Sequence, residues 1–309
     1  MALHKITIRL LSPFITPLKG DTVWGHIVWG IANNEGDEAV TAFLGRQKQN
    51  PEIVVSSAFP KGYICRPLPL PKERVEKLNA SKYTEIKKEK KRCFIEACDY
   101  LNGVSKPEVA LETMPLQTDI VTHNKIDRET GGVVEGGLYA VEQKWTKYGE
   151  FENTKINMNE FDIYTESSLS AERLEQLFKW AFENGYGADA STGKGKIEVI
   201  ENSIAKVTPK FNTNTYVALA PFVNSEKIKM ANLRADIFTR SGRLGGGFGG
   251  SLSPFKKTVV LFDEGAVFDC AEKISYCGKL LENVHSDKRI CQAGFAPVIP
   301  IKETENKTV

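Results

Sequence analysis

No run of apolar residues in this chain approaches the ~20 that a membrane-spanning helix needs. The N-terminus, MALHKITIRL, opens with strand-like alternation instead of a targeting segment, so a cytoplasmic protein without a membrane partner is expected. Six cysteines, at 65, 93, 98, 270, 277 and 291, include no C-x-x-C pair and match no zinc module. Free, structural thiols in a reducing compartment are expected, with no metal and no cofactor. There are only four histidines, and no Ser-His-Asp pattern, ligand spacing or carboxylate pair stands out. Charge of either sign is nearly balanced, 41 Lys+Arg against 39 Asp+Glu for a net +2, so a nucleic-acid surface would have to come from local clustering.

What is present is ordinary globular material: 309 residues, 41% hydrophobic and 26% charged, enough for two domains. Ile6, Ile8 and Leu10 alternate with Lys5, Thr7 and Arg9 as a first strand with one buried face. After two prolines, Trp24, Ile27, Val28 and Ile31 form the apolar stripe of a helix, with Asp21 or Thr22 as its expected N-cap. A second short helix is predicted over 37–45, then a strand pair in EIVVSSAF and GYICRPLPLP. Residues 72–101 form a lysine-rich insertion containing KKEKKR, read as a solvated helix face or arm. From 117 to 145 two strand-like ends flank a polar, glycine-punctuated middle, predicting a long hairpin. EFDIYTE gives a further strand. Leu174, Leu177, Phe178 and Ala181 then mark a helix that Asn184-Gly185 stops, and KIEVI gives another strand.

The order strand, helix, strands, helix, strand is that of the ferredoxin-like or RNA-recognition-motif unit, so an α+β fold is expected. Residues 1–203 form the first domain on this reading. A linker at 204–211 leads to TYVALAPFV and a strand-rich second domain, 204–309, without a clear long helix.

Two glycine loops stand out. GYGADASTGKGKI, 185–197, misses the phosphate loop of nucleotide-binding enzymes in both spacing and ending. Gly185-x-Gly187-x-x-Ala190 fits the dinucleotide string but follows a helix and leads to a strand, the reverse of what that site needs. Gly245-x-Gly247-x-x-Gly250 likewise leads into a strand. Between Thr239 and Lys257 stand Arg240, Arg243, Lys256 and Lys257 and no acidic residue. Glycine lets amides approach a polyanion closely, and such loops with nearby cations would hold phosphates without reading sequence. A surface turn with only hairpin geometry to satisfy is the alternative.

Four stretches, DTVWGHIVW at 21–29, HNKIDRETGGVVEGGLYAVE at 123–142, the 185–197 loop and FKKTVVLFDEGAVF at 255–268, resemble the RAMP superfamily of CRISPR proteins. The resemblance is strongest to the subunits that cap the crRNA 5′ tag in type III-A (Csm) effector complexes. It implies two packed ferredoxin-like (RRM/RAMP) modules with glycine-rich loops and an inserted β-hairpin thumb. The partners implied are crRNA, the large subunit and the backbone RAMP subunits, with target RNA met indirectly. The tag surface it implies comprises Lys19, Gly20, Asp21 and Thr22; Gly187, Ser191, Thr192, Gly193, Lys194 and Gly195; and Arg240, Ser241, Gly242, Arg243, Gly245, Gly246, Gly247, Lys256 and Lys257. The thumb corresponds to His123, Asn124, Lys125, Ile126 and Arg128, with Lys125 and Arg128 on phosphates and Ile126 as a wedge. Asp189 departs from the more basic loops of relatives and is expected to cap the turn.

Some RAMP relatives cut precursor crRNA with a histidine. His4 reads as a structural histidine on a strand, His26 lies on the flank of the helical stripe, His123 belongs to the arm and His285 to a tail segment. A non-catalytic RNA-binding subunit is the expectation. The alternatives are a metal-independent endoribonuclease using His26 or His123, and a protein that binds nucleotides or phosphate alone.

Overall fold

The computed structural model describes residues 1–69, 93–104, 110, 111, 114–151, 154–245 and 253–302. Most of the lysine-rich insertion, together with Gly246 and Gly247, lies outside them.

Strand β1 (Ala2–Leu10) runs into helix α1 (Gly20–Gln49) and strand β2 (Ile53–Pro60). After the small strands β3 (Tyr63–Cys65), β4 (Phe94–Glu96) and β5 (Ala110–Leu111), with helix α2 (Ala97–Leu101) between the last two, a long hairpin pairs β6 (Leu116–Ile126) with β7 (Val133–Thr146). A smaller hairpin, β8 (Tyr148–Phe151) and β9 (Thr154–Asn157), precedes β10 (Glu160–Ser167), helix α3 (Ala171–Glu183), β11 (Ile197–Val199) and β12 (Ala205–Lys206). The first sheet has the order β11-β1-β10-β2, with β12 also on β1, and its pairs are antiparallel. The predicted alternation of strands and helices is therefore present, with a long excursion between β2 and β10.

The two predicted N-terminal helices are one helical run broken at Gly36, whose φ of +84° a side chain would oppose. Trp24, Ile27 and Ile31 are buried as the stripe requires, with Trp24 packed on Phe43 at 6.1 Å. Helix α3 starts on Ser170, whose hydroxyl accepts from the Arg173 amide at 3.3 Å, a cap worth about 1 kcal/mol. It buries Leu174, Leu177, Phe178, Ala181 and Phe182 on one side. Together the helices cover one face of the first sheet.

The other face is covered by a second sheet of order β14-β17-β13-β19-β18, built from β13 (Thr215–Ala218), β14 (Ala231–Arg234), β17 (Val267–Asp269), β18 (Tyr276–Leu281) and β19 (Gln292–Pro300). Strands β15 (Ile237–Arg240) and β16 (Val259–Phe262) pair separately. Among the described residues from 204 onward there is no α-helix. Leu3, Phe59 and Tyr164 of the first sheet share a core with Val217, Val267 and Ile299 of the second, while Ala293 and Phe295 of β19 join the helical core. Every residue of β2 is buried, and all but the first of β10, because each is enclosed on both faces.

That enclosure forces polar residues to find partners. Asp162 accepts from Thr7 Oγ1 at 2.6 Å and from the Gly62 amide at 2.8 Å. Glu166 is buried. Burial raises its pKa from 4.5 to about 7, against a hydrogen bond from Ser275 and the pull of the N-terminal amine. A carboxyl whose folded value is raised holds its proton more tightly when folded. Its contribution is complete below about pH 4.5 and is lost as pH rises through 7. Glu166→Gln should therefore match the wild-type Tm at pH 4 and exceed it at pH 8, by up to about 3 kcal/mol of stability. Equal Tm values at pH 8 would show that the carboxylate is solvated.

Candidate nucleic-acid interface

The start of α1 lies where the two halves meet. Lys19, not Asp21 or Thr22, is the N-cap residue, and no side chain caps the helix. Asp21 is inside the first turn and almost fully buried. It accepts from Arg240 Nε at 2.8 Å and Nη2 at 2.9 Å, and from Gln292 Nε2 at 2.9 Å. Lys256 completes the network by donating to the Cys291 carbonyl at 2.7 Å and Gln292 Oε1 at 2.9 Å. Burial holds the Lys256 pKa below its ordinary value.

Beside this network Lys19 donates to Asp263 Oδ1 at 2.7 Å and Glu264 Oε1 at 2.6 Å. Burial disfavours the Lys19 charge, but Glu264 and Asp263 outweigh it and raise its pKa. Burial pushes Glu264 up to about 7 despite the Lys19 attraction. Asp263 is held below its usual value because hydrogen bonds from Glu264 and Lys19, with the Lys19 charge, outweigh its burial. Phe238 lies between the two networks, 5.0 Å from Lys19 Nζ and 4.7 Å from the Arg240 guanidinium. Gly20 is buried with its amide on Ser57 Oγ at 3.2 Å, and Thr22 is half-buried. Lys19, Arg240 and Lys256, all expected as RNA contacts, thus have their charged groups on partners inside the protein.

The 185–197 loop folds back on the segment after β1. The Gly187 amide donates to His26 Nε2 at 3.2 Å, Ala188 to Thr16 Oγ1 at 2.9 Å, and Lys196 to Ser12 Oγ at 2.8 Å. The Gly195 amide donates to the Pro13 carbonyl at 2.7 Å, and those of Thr192, Gly193 and Lys194 close on Asp189 and Ala190 carbonyls. Most amides that would have cradled phosphate are already bonded, so the expected backbone grip has little left to act with. Asp189 serves the turn through its carbonyl, not its side chain, at a φ of +57°. Gly195, with φ +65°, abuts Tyr186 so closely that a Cβ would strike the Tyr186 backbone. Ser191, Thr192 and Gly193 are exposed, and Lys194 Nζ is bonded to Gln143 at the base of β7.

Helix α1 brings the loops together. His26 holds Gly187, and a Cβ on Gly245 would lie 2.9 Å from Trp29 Nε1. His26 and Trp29 are three residues apart, so the contacts lie on one side of the helix about 4.5 Å apart along its axis. The long hairpin joins at its base, where Phe14 and Lys144 exchange backbone hydrogen bonds at 3.0 and 2.8 Å. The start of α1, the 185–197 loop, Gly245 and the hairpin base at Gln143 and Lys144 therefore border one region, and the 123–142 stretch extends from that base.

On the hairpin, Asn124, Lys125, Ile126 and Arg128 are exposed, and His123 stacks on Tyr139 with centroids 5.5 Å apart. Asp127 shapes the tip by accepting from the amides of Glu129 and Thr130 at 2.8 and 3.0 Å. In the second half, Ser241 bonds Thr258 at 2.7 Å, Gly242 is half-buried, and Arg243 and Lys257 are exposed. Available to a polyanion are thus Lys125, Arg128, Arg243, Lys257 and the Ser191 hydroxyl, that of Thr192 being donated to the Asp189 carbonyl at 2.9 Å.

His26 is poorly suited to acid–base work. Burial lowers its pKa to about 4 against a backbone hydrogen bond at Ala181, its Nε2 already accepts from Gly187, and its ring packs on Tyr186 at 4.7 Å. His4 keeps a buried Nδ1 without a partner.

No family model and no curated protein matches the sequence. Solved structures do. A chain of the Csm1–Csm4 cassette in complex with cA4 aligns at a TM-score of 0.59 and 16% identity, covering 98% of this chain and 100% of that one. One from the cassette with pppApA aligns at 0.57 and 15% over the same shares. A chain of the Csm3–Csm4 subcomplex of the type III-A CRISPR-Cas interference complex aligns at 0.50 and 11%, covering 94% and 99%. The chain therefore shares, over essentially its whole length, the fold of a chain found in these Csm assemblies.

Sequence reasoning missed Asp263, Glu264, Gln292, Gln143 and Phe238. Asp263-Glu264, between two apolar strands, has the composition of a solvent-facing turn, and nothing local pairs it with Lys19. Breaking one partner of a buried pair leaves an uncompensated charge, so Arg240→Ala should cost about 3–5 kcal/mol. Chemical denaturation checks this, and a cost below about 1 kcal/mol would place the pair in solvent.

Proposed function

We propose that this chain is the RNA-binding subunit of a type III-A CRISPR interference complex, capping the crRNA 5′ tag and anchoring the large subunit in antiviral defence. The observation that carries the reading is that segments of both glycine loops meet one side of α1 while the hairpin base pairs with the chain just before that helix, in a chain with a Csm-type fold throughout. The 1–203 unit reads as a ferredoxin-like RAMP module, supported by its strand order. The 204–309 unit reads as a second module, represented among the described residues by its sheet. The long hairpin is the thumb, with Lys125 and Arg128 on phosphates and Ile126 at the tag–guide junction. Phosphates are gripped mainly by side chains, Arg243 and Lys257 among them, while the loop backbone sets their positions.

The chain acts without catalysis in this reading. His26 supplies neither a free lone pair nor a ready proton, and His123 is stacked against Tyr139. Incubated with repeat RNA in EDTA, the purified protein is expected to leave it intact. Specific cleavage abolished by a single histidine substitution would establish the endoribonuclease instead.

A small RNA with a uniform 5′ end should copurify with the chain and its complex. Arg243→Ala and Lys257→Ala should each weaken binding of single-stranded RNA and lower the salt slope by about 0.7, one phosphate contact apiece. Saturable mononucleotide binding without RNA affinity would favour a simple phosphate-binding protein.

A further inference from the structure

Beyond β15 the chain doubles back as a short ribbon. The Lys256 amide donates to the Gly242 carbonyl at 2.8 Å and the Leu244 amide to the Pro254 carbonyl at 2.7 Å. Between these bonds Arg243 and Phe255 face each other as an antiparallel bridge. A pair flanked by hydrogen bonds but making none itself is the narrow type, with Cα atoms about 4.5 Å apart and both side chains leaving the same face. Their neighbours leave the opposite face, where Leu244 is buried and Lys256 reaches Cys291 and Gln292.

The ribbon therefore has an anchored face and an open one. On the open face Phe255 is 56% exposed beside the exposed Arg243. Lys257, two residues on, is exposed as well, and neither cation holds an ion pair among the described residues. An exposed phenyl ring beside two outward-facing cations, Arg243 and Lys257, in a stretch that carries no carboxylate from 239 to 257 is complementary to a polyanion that also offers flat π-faces. Aromatic residues and arginine are also enriched at protein–protein interfaces, whereas lysine is depleted there, so it is the exposed Lys257 that favours the polyanion.

We infer that Phe255 and Arg243 form a stacking platform for one nucleobase of single-stranded RNA, with Lys257 on an adjoining phosphate. The inference rests on the RNA-binding reading above and adds a base contact to it. Ring and guanidinium offer adjacent surfaces to one base, and stacking accepts any base because each has a π-face. The platform supplies affinity and position without selecting sequence. Its anchored face is joined through Gln292 to the Asp21 network, so it is held rigidly against the start of α1.

The test uses the full-length protein and 12-nucleotide oligoadenylate RNAs, each carrying 2-aminopurine at one successive position. Wild-type binding should change the fluorescence most at one position. Phe255→Ala should abolish that change and weaken Kd about tenfold, while leaving the salt slope intact. Phe255→Trp should preserve affinity, and Arg243→Ala should lower both affinity and slope. Because Phe255 is exposed, an unchanged Tm should accompany its substitutions. Full affinity and an undiminished fluorescence change in Phe255→Ala would overturn the platform and leave the RNA-binding reading standing. Failure of the wild type to bind RNA would overturn both.

Discussion

Two ionic contacts at the start of α1, one on the buried Asp21 and one at the half-buried Lys19, hold this molecule in its shape. Lys19 reaches Asp263 and Glu264, and Asp21 accepts from Arg240 and Gln292, so a single helical turn ties the first sheet to the second half of the chain. Removing such charges from water is costly, and mutual attraction offsets that cost only where geometry and further hydrogen bonds are good. The contacts at 2.6–2.9 Å, with Phe238 between the cations, meet that condition. The arrangement specifies one docking of the two halves, because any shift leaves a buried charge unpaired.

That docking divides the basic residues into two sets. Lys19, Arg240 and Lys256 face inward and serve the junction, whereas Arg243 and Lys257, on the same stretch of chain, face outward. In antiparallel backbone, successive side chains leave opposite faces, so adjacent cations acquire opposite roles. A cluster of positive charge in sequence is thus halved by the geometry that anchors it. The exposed half lies on the ribbon that Lys256, through Gln292, ties to the start of α1.

The glycine loop follows a related logic. Its amides bond to Ser12, Pro13, Thr16 and His26, so its positive-φ glycines allow a tight wrap around the chain leaving β1. His26 and Trp29 each secure one of the two loops from one side of α1. A histidine that resembles a catalyst in sequence is here a hydrogen-bond acceptor for a loop amide. The exposed Ser191 side chain is what the loop offers outward, the Thr192 hydroxyl being held by the Asp189 carbonyl.

The sequence alone determined the elements whose cause is local. The stripe Trp24, Ile27 and Ile31, the period of Leu174, Leu177 and Phe178, and the alternation of β1 act within a few residues, and each element formed close to where the pattern placed it. The polar, glycine-punctuated middle of the long hairpin was readable for the same reason. Tertiary structure decided what the charged residues do. Lys19 and Asp263 are 244 positions apart, and Asp21 and Gln292 271, so no short-range pattern distinguishes a buried ionic pair from a solvated turn. The open face of the Phe255–Arg243 ribbon emerged only when its register put one side against Gln292 and the other in water.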